Sequence, residues 1–313
     1  MLKNTYINTL VNNMKTDPWR AENGTRQGGI LSPLLFSFHI NEMIHEISEM
    51  NVGCSLGGVR VNIICYADDI CLLAPSRYAL QLLLDHLQSC LKYLDLNINV
   101  NKCAYIIFKK HKRDYITSEV TLEGVKIPRV AEFKYLGVIL SEDLSISADI
   151  NRVLMSFLKQ FNSMYHKFHY MDDPILQHLF RTYTSSFYGV DIWFDRYSHR
   201  EVNRLEVTYH KAVKRVARLN VWDSNHEACD IIKVPTFPHL VAKRLICLFH
   251  SIINSSSPCL FGFKYYLRYE SFFFKYLNNF FNMKYEVLNF MQNPLCAMLS
   301  RIDFVQKHEP RRR

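Results

Sequence analysis

No run of 18 apolar residues occurs in the 313-residue chain, and even the aromatic-rich span 261–290 is interrupted by Lys264, Arg268, Glu270, Lys275, Lys284 and Glu286. A membrane-spanning helix is therefore not expected. The first fifteen residues lack the basic-then-apolar order of a secretory signal. No CxxC pair is present, and the nine cysteines are scattered and odd in number. That argues against a disulfide framework and for a reducing compartment, so an intracellular location, nuclear or cytoplasmic, is expected. Internal repeats and low-complexity tracts are absent as well, and the one run of three consecutive like charges is the closing Arg311-Arg312-Arg313.

What is present suits a globular fold: 49% hydrophobic and 21% charged residues, enough chain for one large or two ordinary domains. The formal charge of +9 is unevenly placed, with a net of −1 over residues 1–150 and +10 over residues 151–313. A basic back half is suited to a polyanion, although solubility alone would also account for it.

Hydrophobic spacing predicts the elements. Leu2, Tyr6, Ile7, Leu10, Val11 and Met14 predict a helix at the start. Ser32-Pro33 reads as an N-cap and first-turn proline of a helix that buries Phe36, Ile40, Met43, Ile44 and Ile47. Two β-rich runs, Val59–Cys65 and Ile70–Leu73, flank Tyr66-Ala67-Asp68-Asp69 and predict a hairpin with an acidic turn. A helix over 76–94, strands at 106–108, 120–122 and 133–140, and an amphipathic helix over Ser147–Phe168 follow. Further helices are expected near 174–188, 200–219, 239–253 and 271–291. The class is α+β in front and helical behind, divided near residue 145.

Asp68 and Asp69 are the first chemical candidates. Adjacent carboxylates between apolar strands repel and are expected to be poorly solvated, a strain that a hard divalent cation such as Mg²⁺ relieves. An ordinary solvated turn is the competing reading. Upstream, Gly24-Thr25-Arg26-Gln27-Gly28-Gly29-Ile30-Leu31-Ser32-Pro33 is a glycine loop that opens onto a helix N-terminus, where free amides attract phosphate. Gly28 and Gly29 permit close approach to the backbone.

These motifs together resemble the reverse transcriptase family, specifically the enzymes of non-LTR (LINE-type) retrotransposons. RQGGILSPLLF (Arg26–Phe36) is similar to the loop–helix motif that meets template and nucleotide, and YADD (Tyr66–Asp69) to the catalytic hairpin. LDLNINVNKCAYIIF (Leu94–Phe108), with Asn99 and Lys102 at its polar positions, resembles the next motif. FKYLGVIL (Phe133–Leu140) resembles the primer-grip hairpin.

The resemblance implies a partial right-hand polymerase palm over 1–145, a thumb helix over 146–170 and a basic helical C-terminal region over 171–313. It implies two Mg²⁺ held by Asp68 and Asp69, with Lys102 as a third catalytic candidate at the leaving pyrophosphate. Arg26, Gln27, Gly28, Gly29 and Tyr66 would meet nucleotide or template, and Tyr135, Leu136 and Gly137 the primer. An RNA template, a DNA primer and dNTPs are the implied partners. The family's first catalytic motif, an Asp on the strand before the opening helix, has no counterpart in these residues, and neither do the fingers. Asp17, in a loop before Pro18, is not taken for it. The expectation is an N-terminally truncated chain, inactive in isolation. The alternatives are a catalytically dead remnant that still binds RNA or DNA, and a relic without activity.

Two further sets arise in the back half. Arg204, Lys211, Lys214, Arg215 and Arg218 fall on one helical stripe, suited to a nucleic-acid backbone or to plain solvation. His226, Cys229, Cys247 and His250 make a two-His, two-Cys set, but the order is unusual and Cys247 and His250 lie in an apolar helical stretch, so zinc is disfavoured there.

Overall fold

The computed structural model describes residues 5–21, 24, 28–56, 58–108, 119–184, 186–193, 199–257 and 260. The chain divides into two compact units, one of residues 1–103 and 115–128, the other of residues 104–114 and 129–313.

The first unit opens with strands rather than the helix that spacing suggests. β1 (Thr5–Ile7) pairs antiparallel with β4 (Trp19–Ala21), and β2 (Leu10–Val11) with β3 (Met14–Lys15) inside it. The reason lies in the turn: Asn12 and Asn13 adopt φ of 49° and 63°. Asparagine tolerates this left-handed region, and two such residues in succession close a tight hairpin. Tyr6, Leu10 and Met14 are all exposed.

Next comes α1 (Ser32–Glu49), then the short pair β5 (Ser55–Leu56) and β6 (Val59–Arg60). The hairpin of β7 (Ile63–Tyr66) and β8 (Asp69–Leu72) precedes α2 (Arg77–Tyr93). The expected strand Val59–Cys65 is broken at Asn62. Its buried side-chain amide donates to the carbonyls of Ile47, at 2.6 Å, and Val52, at 3.1 Å, pinning the end of α1. Gly53 completes this lock: at φ +115° a Cβ would stand 2.3 Å from the Cβ of Asn62, so no side chain fits. Ser76 caps α2, its Oγ accepting from the N–H of Ala79. Ile40, Met43 and Ile47 of α1, Ile63 of β7 and Leu83, Leu87 and Leu91 of α2 form the core. A 3-10 turn (Val100–Lys102) follows, and the hairpin of β9 (Thr121–Leu122) and β10 (Val125–Lys126) completes the unit.

In the second unit, β11 (Glu132–Tyr135) and β12 (Val138–Ser141) form a hairpin that leads into α3 (Ser147–Phe168). The expected strand at 106–108 is instead an isolated parallel bridge between Tyr105 and Arg129. Because this hairpin groups with the helices, the units part between 128 and 129, ahead of the expected boundary near 145. Asp149 supplies the physical reason: its buried carboxylate, on α3, accepts the N–H of Ile139 on β12 at 2.8 Å.

The helices are α4 (Asp173–Tyr183), α5 (His199–Val216), α6 (Asn225–Ile232) and α7 (Phe237–Asn254), with a 3-10 turn at Val190–Trp193. The short α6 has no counterpart in the hydrophobic spacing; Ser224 caps it, and Lys233 ends it in the left-handed region. The expected helix over 271–291 lies outside the described residues. Aromatic rings fill the core: Phe187 sits 5.1 Å from Phe157, 5.6 Å from Tyr209 and 5.5 Å from Phe237, centroid to centroid. The first pair is stacked and the other two are edge-to-face, and such pairs add about 0.5–1.5 kcal/mol beyond the area they bury.

His210 on α5 is buried and its Nε2 accepts the N–H of Phe237 at 3.4 Å. Burial, reinforced by the charges of Lys214 and His226, pushes its pKa down to about 4. The unfolded chain, with an ordinary histidine near 6.5, takes up this proton first. The resulting stability is complete above pH ~6.5 and lost as pH falls toward ~4, a difference of about 3 kcal/mol. Denaturant midpoints at pH 7 and 4.5 should show the loss, and His210→Gln, which keeps an acceptor, should shrink it. An undiminished pH dependence in that variant would exclude His210 as its source.

Candidate active site

The β7–β8 hairpin closes through a two-residue turn, with Tyr66 paired to Asp69 and Ala67-Asp68 between them. Ala67 occupies φ +52°, where a Cβ crowds the carbonyl at a cost of about 1–2 kcal/mol. Ile63 and Cys65 turn inward and lie opposite Leu72 and Ile70, which also pack against the core. By strand alternation, Ile64, Tyr66, Cys71 and Asp69 lie on the other face. The core thus anchors the stem while Tyr66, Asp68 and Asp69 stand exposed at the tip.

Exposure corrects one expectation. The two carboxylates are not poorly solvated; at a two-residue turn, water reaches both. Desolvation therefore gives no argument for a cation, and the donor chemistry must carry it: two adjacent hard oxygen groups, open to solvent, on a strained and core-anchored turn. Burial instead acts on the hairpin thiols. It pushes Cys65 up to about 11 and also raises Cys71, which leaves both as neutral packing groups.

At the start of α1, Gly28 takes φ +78° and is exposed, and the carbonyl of Gly29 accepts the N–H of Ser32 at 3.1 Å. Ser32 is the first helical residue and not the cap; Leu31 holds that place and offers no side-chain acceptor. Leu31 therefore gives the opening N–H groups of α1 no side-chain cap. Arg26 and Gln27 lie outside the described residues. Lys102 is exposed, in the 3-10 turn after Asn99 rather than before a strand.

Tyr135, Leu136 and Gly137 belong to the second unit. Leu136 and Gly137, at φ 45° and 82°, close the β11–β12 hairpin in two residues. Tyr188 covers this tip: its hydroxyl donates to the Leu136 carbonyl at 2.9 Å, and its ring would lie 3.2 Å from a Cβ at position 137. Arg152 holds Asp149 by two bonds, at 2.5 Å and 3.0 Å, and donates to the Tyr188 carbonyl at 3.1 Å. Asp149, Arg152 and Tyr188 carried no local signal in the sequence, because only the fold brings them to the hairpin.

The basic stripe is less uniform than its spacing. Arg204 and Lys211 are exposed on α5. Lys214 donates to the Val221 carbonyl at 2.8 Å, and the Arg215 guanidinium lies 4.6 Å above the Tyr165 ring. Arg218 is past the helix end, at φ +56°, and pairs with Asp173 at 2.5 Å. It is therefore not on the helix face, because the left-handed residue turns the chain away. Of the four sulfur and nitrogen candidates, His226 is exposed on α6, Cys229 is buried, and His250 meets Asn254 at 2.8 Å. Among the described residues these do not converge as a ligand set. The cluster that does is Glu46, His86 and Cys90, whose helical spacing of four at 86 and 90 was visible but whose third member was not.

Comparison with known proteins bears on residues 1–140, which match the family model described as reverse transcriptase (RNA-dependent DNA polymerase). The RNA-directed DNA polymerase from mobile element jockey of Drosophila funebris is 34% identical over 149 residues, 46% of this chain and 16% of that protein. The Pol polyprotein of the type-2 retrotransposable element R2DM of Drosophila melanogaster is 31% identical over 134 residues, 39% of this chain and 13% of that protein. That of the type-1 element R2 of Nasonia vitripennis is 29% identical over 154 residues, 45% and 15% of the two chains. The chain thus spans about a sixth or less of the length of these relatives. The match runs from the front strands through the glycine loop and the acidic hairpin to β12, and over those residues the chain is similar to the reverse transcriptases of non-LTR retrotransposons.

Proposed function

We propose that this chain is part of an RNA-directed DNA polymerase, with the β7–β8 hairpin as its catalytic tip. The observation that carries the reading is the two-residue turn that presents Asp68 and Asp69 together at the end of a core-anchored stem. The first unit corresponds to part of the palm, and α3 to the start of the thumb. Asp68 and Asp69 would hold Mg²⁺, which supplies activation of a primer hydroxyl and stabilisation of the leaving pyrophosphate in an in-line transfer. Tyr66, exposed on the same face as Asp69, offers a ring to the primer end. The start of α1 behind Gly28-Gly29, where Leu31 supplies no side-chain cap, suits a nucleotide or template phosphate. Lys102, exposed, carries charge for the pyrophosphate. The β11–β12 tip, held by Tyr188 and Asp149, suits a primer support. RNA template, DNA primer and dNTPs are the partners this reading requires.

A carboxylate pair contributes two negative charges against four on two Mg²⁺, so the 313 residues alone are expected not to extend a primer. The test is a homopolymer primer-extension assay on this chain and on a chimera in which the upstream part of the jockey relative precedes it. Extension by the chimera that is lost on Asp68→Ala supports the reading. A folded chimera without extension overturns it.

Arg204 and Lys211 extend the reading to the second unit as phosphate contacts. Substituting both by Gln should lower the log–log salt slope of single-strand binding by about 0.7 per lost contact, or about 0.9 on duplex DNA. An unchanged slope in a filter-binding series would exclude α5 as a contact surface. Arg218→Gln should act differently, through loss of the Asp173 pair rather than of a phosphate.

A further inference from the structure

α1 and α2 bring together three donor atoms that none of the polymerase motifs uses. His86 and Cys90 stand one turn apart on α2, and Glu46 faces them from α1. The Glu46 Oε2 lies 3.4 Å from His86 Nε2 and 3.3 Å from Cys90 Sγ, and all three donors fall within 4.8 Å of one another. Tetrahedral zinc with bonds near 2.0 Å to oxygen and nitrogen separates those donors by about 3.3 Å, and a bond of ~2.3 Å to sulfur gives an oxygen–sulfur separation of about 3.5 Å. The two measured spacings match both edges. A second observation is independent of spacing: His86 Nε2 is buried, yet no hydrogen-bond partner serves it among the described residues. Its approach to Glu46 has the distance of an ion pair without the geometry of a hydrogen bond. Buried ring nitrogens rarely go unserved.

We propose that Glu46, His86 and Cys90 bind one Zn²⁺ between α1 and α2, with solvent as fourth ligand. The charges support it: a carboxylate and a thiolate cancel the ion, and the imidazole is neutral. Ligand type separates this site from the aspartate pair, since imidazole and thiolate suit zinc, whereas Mg²⁺ takes oxygen. The Glu46 side chain is 51% exposed, which gives an ion an entry path, while His86 Nε2 and Cys90 lie on the buried side. Without metal, the Cys90 thiol donates to Glu46. Zinc therefore replaces one thiol proton as it binds.

The full chain, stripped of metal, is titrated with Co²⁺ as a spectroscopic stand-in and then with Zn²⁺. The expected result is one equivalent bound and a thiolate-to-cobalt charge-transfer band that zinc abolishes. Cys90→Ser should remove the band. Glu46→Gln and His86→Gln, at partly exposed positions, should each weaken binding at least tenfold with an unchanged far-ultraviolet circular dichroism spectrum. Absence of the band in the unsubstituted chain, or its survival in Cys90→Ser, overturns the site. Should Cys90→Ser fail to fold, unchanged affinity in both glutamine variants overturns it equally. None of these readouts depends on polymerase activity.

Discussion

Asp68→Ala in the chimera with the jockey upstream part is expected to slow primer extension by a thousandfold or more. Removing this carboxylate takes away one of the two charges at the hairpin tip that would hold the ions of a two-metal transfer. At 1.36 kcal/mol per decade, a loss of about 4 kcal/mol of transition-state stabilisation gives a thousandfold. Asp68 sits inside the turn and Asp69 begins β8, paired with Tyr66, so the two should not be equivalent. Asp69→Asn preserves the pairing and should cost less than Asp68→Ala. Binding of template–primer should change little in either, since the backbone contacts lie elsewhere, so the loss should fall on kcat. Single-turnover extension at saturating nucleotide, set beside a binding titration, checks both parts. Full activity in Asp68→Ala would remove the hairpin from the chemistry.

Asp149→Ala should be the most damaging single change in the second unit, by about 3–5 kcal/mol. The carboxylate is buried, accepts the Ile139 N–H and takes two bonds from Arg152. Alanine leaves that N–H without its acceptor and the guanidinium without its counter-charge. A fall in Tm of about 10 °C is the corresponding scale for a unit of this size. Asp149→Asn keeps an acceptor and should lose less. Arg152→Met added to Asp149→Ala should recover part of the loss, because the stranded charge goes with it. Urea unfolding of the three variants beside the unsubstituted chain decides this, and a loss under about 1 kcal/mol in Asp149→Ala would show the contact to be incidental.

How far the sequence could be read depended on whether local chemistry decided the outcome. The 22-residue α3 matches its expected bounds because its apolar stripe meets a core along its whole length. The acidic hairpin was legible because apolar runs flank a turn. The front strands were not, since six apolar residues at helical spacing outweighed two asparagines that in fact set the fold. The break at Asn62 was hidden too: nothing local says that its amide will serve two carbonyls from another part of the chain. The basic stripe shows the same limit in reverse. Its spacing is real, but a left-handed residue and an acidic neighbour remove Arg218 from it.

The acidic hairpin also determines which genetic changes this locus can absorb. Its turn has two residues and its strands four each, with Ile63 and Cys65 inward and Tyr66 and Asp69 on the opposite face. One codon inserted or deleted between Tyr66 and Asp69 shifts the side-chain alternation of β8 by one, sending the acidic side toward the core and an apolar residue to water. Point substitutions at Ile64, by contrast, meet mostly solvent. A lineage of copies drifting without selection should therefore break here by small in-frame insertions and deletions as readily as by loss of either aspartate. An intact four-residue spacing from Tyr66 to Asp69 in such copies would then be a sign of selection independent of the identity of the acids themselves.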